Sequence, residues 1–258
     1  MAQITMSRML RLSLILGALL VSTPSWANGA LVISGHPQWP PYSWEKDGRL
    51  TGIAVEVTQL ILGDLKVPYE VRNEGNWNRA LNLTRLGDVD IIAGVYQTKE
   101  RKAYLRFTNS PLTLDHNVVW IPRGKAFPFK SWSDLRSRHG VSAIGDSLGE
   151  AFDDFMRQKL AVDYVTGPEN AFRMIAAGRA DYFPYSQVAG EIMLSRLGLT
   201  EKVEFLPDPI TQAGCYIAFS SKSRFLPIVA DFNARLAQLV ADGTVASLLS
   251  KYKSEAAQ

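Results

Sequence analysis

The segment Asp90-Ile91-Ile92-Ala93-Gly94-Val95-Tyr96-Gln97-Thr98-Lys99-Glu100-Arg101 ends an apolar run at a glycine, turns through polar residues and sets an arginine three positions after a threonine. A buried strand that ends in free amides and hydroxyls, with a guanidinium just beyond, can grip a carboxylate. The planar fork of arginine matches the two oxygens, and short neighbouring hydrogen bonds complete the shell. Thr98 and Arg101 are therefore the first candidates for anion capture; the competing reading is a surface ion pair of Arg101 with Glu100 or Asp115. Aromatic side chains form the second group: Trp39, Tyr42 and Trp44, then Trp77 in a loop before a helical pattern, then Tyr182-Phe183-Pro184-Tyr185-Ser186. Each is weighed between core and ligand contact, since aromatics are buried for area alone. Asp181 reads as a turn or cap residue, and Glu56 as a helix-start residue.

Other chemistries lack their residues. His36, His116 and His139 are scattered, and no Ser/His/Asp order, Cys/His pair or metal-ligand spacing is present. No catalytic residue, metal or cofactor is expected. Cys215, the single cysteine, sits beside Tyr216, Ile217 and Ala218 and reads as a buried strand residue without a disulfide partner.

The elements that must hold these residues alternate. Residues 31–34 are strand-like, 55–65 helical, 69–71 strand, 78–86 helical and 90–93 strand. A second cycle follows: a short helix at 132–135, strand 141–144, helix 150–160, strand 164–165, helix 170–177, then a strand from 180. The tail adds a strand at 216–219, a helix at 228–242 and a last helix through Tyr252. Such alternation indicates an α/β sheet with ligands at the carboxyl ends of strands. The extended apolar stretches 117–121 and 203–207 lie where two hinge strands would join two lobes.

At the N-terminus, Arg8 and Arg11 precede the apolar residues 12–21 and the small-residue motif Ser25-Trp26-Ala27, the pattern of a cleavable signal peptide over residues 1–27. Export follows as an expectation. Of the 28 basic residues two leave with the leader, which nearly balances the 25 acidic ones. That balance argues against nucleic acid, whose binding needs a clustered positive field.

The ordered set Pro41-Tyr42-Ser43-Trp44, Gly48-Arg49-Leu50-Thr51-Gly52, Gly87-Asp88-Val89-Asp90, Thr98 to Arg101, Phe107 to Pro111, Gly178-Arg179-Ala180-Asp181 and Asp242-Gly243-Thr244 resembles the periplasmic solute-binding proteins of family 3, the polar amino-acid receptors of ABC importers. The resemblance implies a type II two-lobed α/β fold, each lobe a mixed sheet flanked by helices, with residues 28–118 and 208–258 in lobe 1 and 119–207 in lobe 2. It also implies a monomeric periplasmic receptor for a small carboxylated solute, with an inner-membrane ABC permease as partner. By position, Arg101 and Thr98 would hold the carboxylate, Gly94 and Tyr96 would reach the ligand, and Trp39 and Tyr42 would stack on it. Ser147, in Asp146-Ser147-Leu148-Gly149-Glu150, would sit in a turn offering helix N-terminal amides. Ser186 stands where the family carries an aspartate for the ligand ammonium. A neutral hydroxyl is a weak substitute, so ordinary L-amino acids are expected to bind poorly unless Asp146 or Glu150 supplies a displaced carboxylate. Flatter, more apolar or quaternary solutes would suit the aromatics better. An exported dehydratase on the same fold and a ligand sensor are the alternative functions.

Overall fold

The computed structural model describes residues 29–256; the leader expected over residues 1–27 lies outside them. Strand β1 (Leu31–Gly35) is buried along its whole length, which its continuous apolar run permits only inside a covered sheet. A small antiparallel sheet follows, β2 (Gln38–Trp39), β3 (Ser43–Lys46) and β4 (Arg49–Thr51), and delivers the chain to α1 (Ile53–Asp64). Strand β5 (Tyr69–Val71) leads to α2 (Trp77–Leu86), where the Asn76 side chain accepts from the Arg79 amide and Gly87 closes the helix in the left-handed region. Then come β6 (Ile91–Val95), the short α3 (Lys99–Lys102), β7 (Leu105–Phe107) and the long β8 (Thr113–Pro122).

The second cycle comprises β9 (His139–Ala143), α4 (Glu150–Lys159), β10 (Ala161–Val165), α5 (Gly167–Ala176), β11 (Phe183–Ser186), α6 (Gln187–Leu197) and β12 (Val203–Phe205). The chain returns through β13 (Thr211–Ser220) and ends in α7 (Val229–Ala241) and α8 (Thr244–Ala256).

Strand order is β11-β8-β13-β6-β1-β5, with β12 added to β8 and β7 to β13. Parallel β9 and β10 join through a bridge between Gly140 and Tyr182. The result is two α/β lobes connected by one antiparallel pair, β8 and β13, in which Thr211 faces Asn117 and Cys215 faces Thr113. The hinge expected at 203–207 lies elsewhere: β12 pairs Val203 with Pro122 and Phe205 with Trp120 along the far half of β8. The apolar residues of 118–121 are likewise buried, between β11 and β12. Apolar character at both segments marked the interior of the second lobe's sheet, and the crossing itself runs through the more polar residues 113–117 and 211–215.

Candidate ligand-binding cleft

Where β6 ends, Gly94 takes φ 88°, a conformation that favours glycine, and a Cβ there would come within 3.4 Å of Ala54 and Trp39 and 3.7 Å of Cys215. The chain then turns at Tyr96, and the Thr98 hydroxyl caps α3 by accepting from the Arg101 amide at 3.1 Å. That cap directs the arginine inward. Arg101 is 6 % exposed. Its Nη1 donates to the Tyr96 carbonyl and its Nη2 to the Gly145 carbonyl of the second lobe, each at 2.9 Å. The Trp77 ring lies 5.6 Å from the guanidinium carbon, and its Nε1 donates to the same Gly145 carbonyl at 2.9 Å. Gly145, at φ 86°, turns that carbonyl toward the first lobe.

Among the described residues no carboxylate lies within ion-pair distance of Arg101. Glu100 pairs with Arg85 instead, at 2.6 Å, so the surface ion-pair reading of Arg101 fails on burial as well as on partner. Burial pulls the guanidinium pKa below its ordinary value, against the favourable fields of Tyr104, Asp146, Asp153 and Glu100.

Arg101 opens into a cavity of about 40 Å³ between the lobes, room for a few water molecules. His36, Trp39, Trp77, Val95, Tyr96, Arg101 and Asn117 line one side; Asp146, Ser147, Leu148, Pro184, Tyr185 and Ser186 line the other. Further contacts span the seam. The Tyr185 hydroxyl donates to the Gln38 carbonyl at 3.0 Å, and the Lys99 amide to Glu150 at 3.1 Å. His36 Nδ1 accepts from the Gln38 amide at 2.9 Å, which assigns the ring hydrogen to Nε2, facing Asp146 Oδ1 at 3.2 Å.

The structure thus brings Trp39, Trp77, Tyr96, Arg101, Ser147 and Ser186 together. Three other expected residues stand behind or beside them. Tyr42 is 2 % exposed and packs its ring 4.5 Å from that of Trp39; burial raises its hydroxyl pKa well above the ordinary value, helped by Asp115. Gly94 lies outside the lining, where a side chain would crowd the Trp39 ring. Thr98 faces a broader groove outside the cavity, together with Glu150.

Residues 147–149 differ from expectation. The Leu148 amide donates to Asp153 and the Gly149 amide to the Ser147 hydroxyl, while that hydroxyl donates to Asp153 at 2.5 Å. Asp153 folds back over the start of α4, and these two amides are already satisfied.

Ser186 does cap a helix, accepting from the Ala189 amide at 3.2 Å, and it donates to Asp115 Oδ1 at 3.0 Å. Asp115 also accepts from the Tyr96 hydroxyl at 2.6 Å. Sequence reasoning missed Asp115, Asn117 and His36 as parts of this region, whereas Tyr185 stood among the aromatics weighed for ligand contact. The alternation of Asp115 and Asn117 on one strand face was the available signal for the first two.

The model of the bacterial extracellular solute-binding proteins, family 3, matches residues 31–255. The chain is 23 % identical over 255 residues to the probable amino-acid-binding protein YxeM of Bacillus subtilis (strain 168), covering 94 % of each. A histidine kinase sensor domain with similarity to periplasmic binding proteins superposes with a TM-score of 0.74 at 22 % identity, over 86 % of this chain and 95 % of that one. A mutant of ArgBP from T. maritima gives 0.75 at 18 % identity, over 88 % and 96 %. The fold is that of the two-lobed periplasmic binding proteins.

Proposed function

Since this chain belongs to the bacterial extracellular solute-binding proteins of family 3, we propose that it captures a small carboxylated solute of amino-acid type between its lobes. As an exported receptor it then presents the solute to an inner-membrane ABC importer. The observation that carries this reading is the Arg101 guanidinium, buried in the interlobe cavity, held by two carbonyls and, among the described residues, matched by no carboxylate. A desolvated cation without a counter-ion is costly, and an anionic ligand relieves that cost.

In this account Trp39, Trp77, Tyr96, Ser147 and Ser186 contact the solute, while Gly94, Tyr42 and Thr98 set their positions. The lobes, joined through residues 113–117 and 211–215, open to admit the solute, because the cavity is too small for it when they touch. Closure then proceeds about β8 and β13. The name of the Bacillus subtilis relative, a probable amino-acid-binding protein, supports this class of ligand and a binding role over an enzymatic one. The likeness to a sensor domain supports the second reading, in which the same capture is reported to a signalling partner.

A thermal-shift screen of the mature protein against L-amino acids, their deaminated acids, betaines and dicarboxylates tests the proposal. At least one carboxylated solute should raise Tm by mass action, and its methyl ester should not. Equal shifts from acid and ester, or no shift from any carboxylate, would overturn it.

A further inference from the structure

Two buried ionisable groups of opposite type serve this cavity, one on its wall and one behind the lining, and among the described residues neither stands in an ion pair. Arg101 is one. The other is Asp115, 1 % exposed on β8. Tyr96 joins them: its carbonyl accepts from Arg101, and its hydroxyl donates to Asp115. On the opposite lobe the Ser186 hydroxyl donates to the other carboxylate oxygen. A hydroxyl has one hydrogen. With both hydrogens committed to Asp115, Tyr96 Oη and Ser186 Oγ present only lone pairs to a ligand. Asn117, on the same wall, directs its Nδ2 to the Thr211 hydroxyl at 3.0 Å, and its Oδ1 lies 3.5 Å from the Tyr96 hydroxyl. One end of the cavity therefore donates and is positive; the other accepts and has a carboxylate behind it.

We infer that the cavity selects a zwitterion with a primary ammonium opposite its carboxylate, and that Asp115, acting through the hydroxyls of Ser186 and Tyr96, is the positioning residue that sets this preference. The inference rests on the proposed capture of a carboxylate at Arg101. It reverses the expectation that Ser186 disfavours ordinary L-amino acids. The pairing of β11 with β8 puts Ser186 opposite Asn117, two residues from Asp115, so the charge missing at position 186 is retained on the neighbouring strand. Asp146 also lines the cavity, but His36 engages it across the seam.

The test is calorimetry of the common L-amino acids and their matched deaminated acids on the wild type, Asp115→Asn, Ser186→Ala and Asp146→Asn. On the wild type the best amino acid should bind at least about 30-fold more tightly than its deaminated counterpart. That ratio should collapse in Asp115→Asn, fall in Ser186→Ala and persist in Asp146→Asn. A ratio between two ligands on one protein is insensitive to lost stability, and if Asp115→Asn does not fold, Ser186→Ala decides. Deaminated acids that bind as tightly as amino acids would overturn this inference and leave the carboxylate reading standing. So would a ratio unchanged in Asp115→Asn and Ser186→Ala, or one lost only in Asp146→Asn. Absence of binding by every member of both sets would overturn both.

Discussion

Tyr185→Phe isolates the energetics of lobe closure. The substitution removes one oxygen and keeps the ring, which stacks on Phe183 with centroids 5.0 Å apart and 17° between planes. The lost hydroxyl spans the seam, donating to the Gln38 carbonyl at 3.0 Å. When the lobes part, water takes its place at both groups, so the loss falls on the closed state. One such bond contributes about 0.5–1.5 kcal/mol net, which corresponds to a roughly 2- to 13-fold rise in Kd. The Tm of the ligand-free protein should barely move, since the open state does not use the bond. Titration calorimetry with the solute from the screen measures the first quantity, and differential scanning calorimetry the second. An unchanged Kd, or a Tm loss as large without ligand as with it, would refute the view that this contact belongs to closure.

Asp115→Asn should raise the Tm of the ligand-free protein at neutral pH even as it weakens amino-acid binding. Burial lifts the Asp115 pKa, the hydroxyls of Tyr96, Ser186 and Tyr42 only partly opposing it. An acid whose folded pKa is raised destabilises the fold as pH climbs from the ordinary carboxylate range through the folded pKa, so the gain from Asn should shrink toward acid pH. Thermal melts of both proteins across that range are the check, and a gain that grows on acidification would contradict the assignment. In small-angle scattering, saturation with the solute should reduce the radius of gyration as the lobes close about β8 and β13; an unchanged radius would mean a rigid site.

The sequence made some of these features legible because they are local. The apolar runs of β1 and β6, the helical spacing of α1 and the cap-then-arginine order of Thr98 and Arg101 each depend on neighbours a few residues apart. The even alternation of strands and helices carried the α/β class in the same way. What escaped depends on distant pairings. His36 meets Asp146 110 positions away, and Ser186 meets Asp115 71 positions away; only the register of β11 on β8 brings the latter pair together. The hinge was misplaced because apolar extended segments mark a sheet interior as readily as a crossover. Residues 147–149 were read as free amides because a carboxylate six positions after Ser147, Asp153, satisfies them only once α4 has formed.

Capture of the solute stands or falls with Arg101 as the group that holds its carboxylate. Calorimetric titration of Arg101→Ala and Arg101→Lys against the wild type, with the circular dichroism of each variant recorded, tests it most directly. Both variants should fold, with a loss of about 2–5 kcal/mol for alanine and incomplete rescue by lysine, which keeps the charge but lacks the planar fork. An Arg101→Ala protein that folds and binds within a few-fold of the wild type would contradict it.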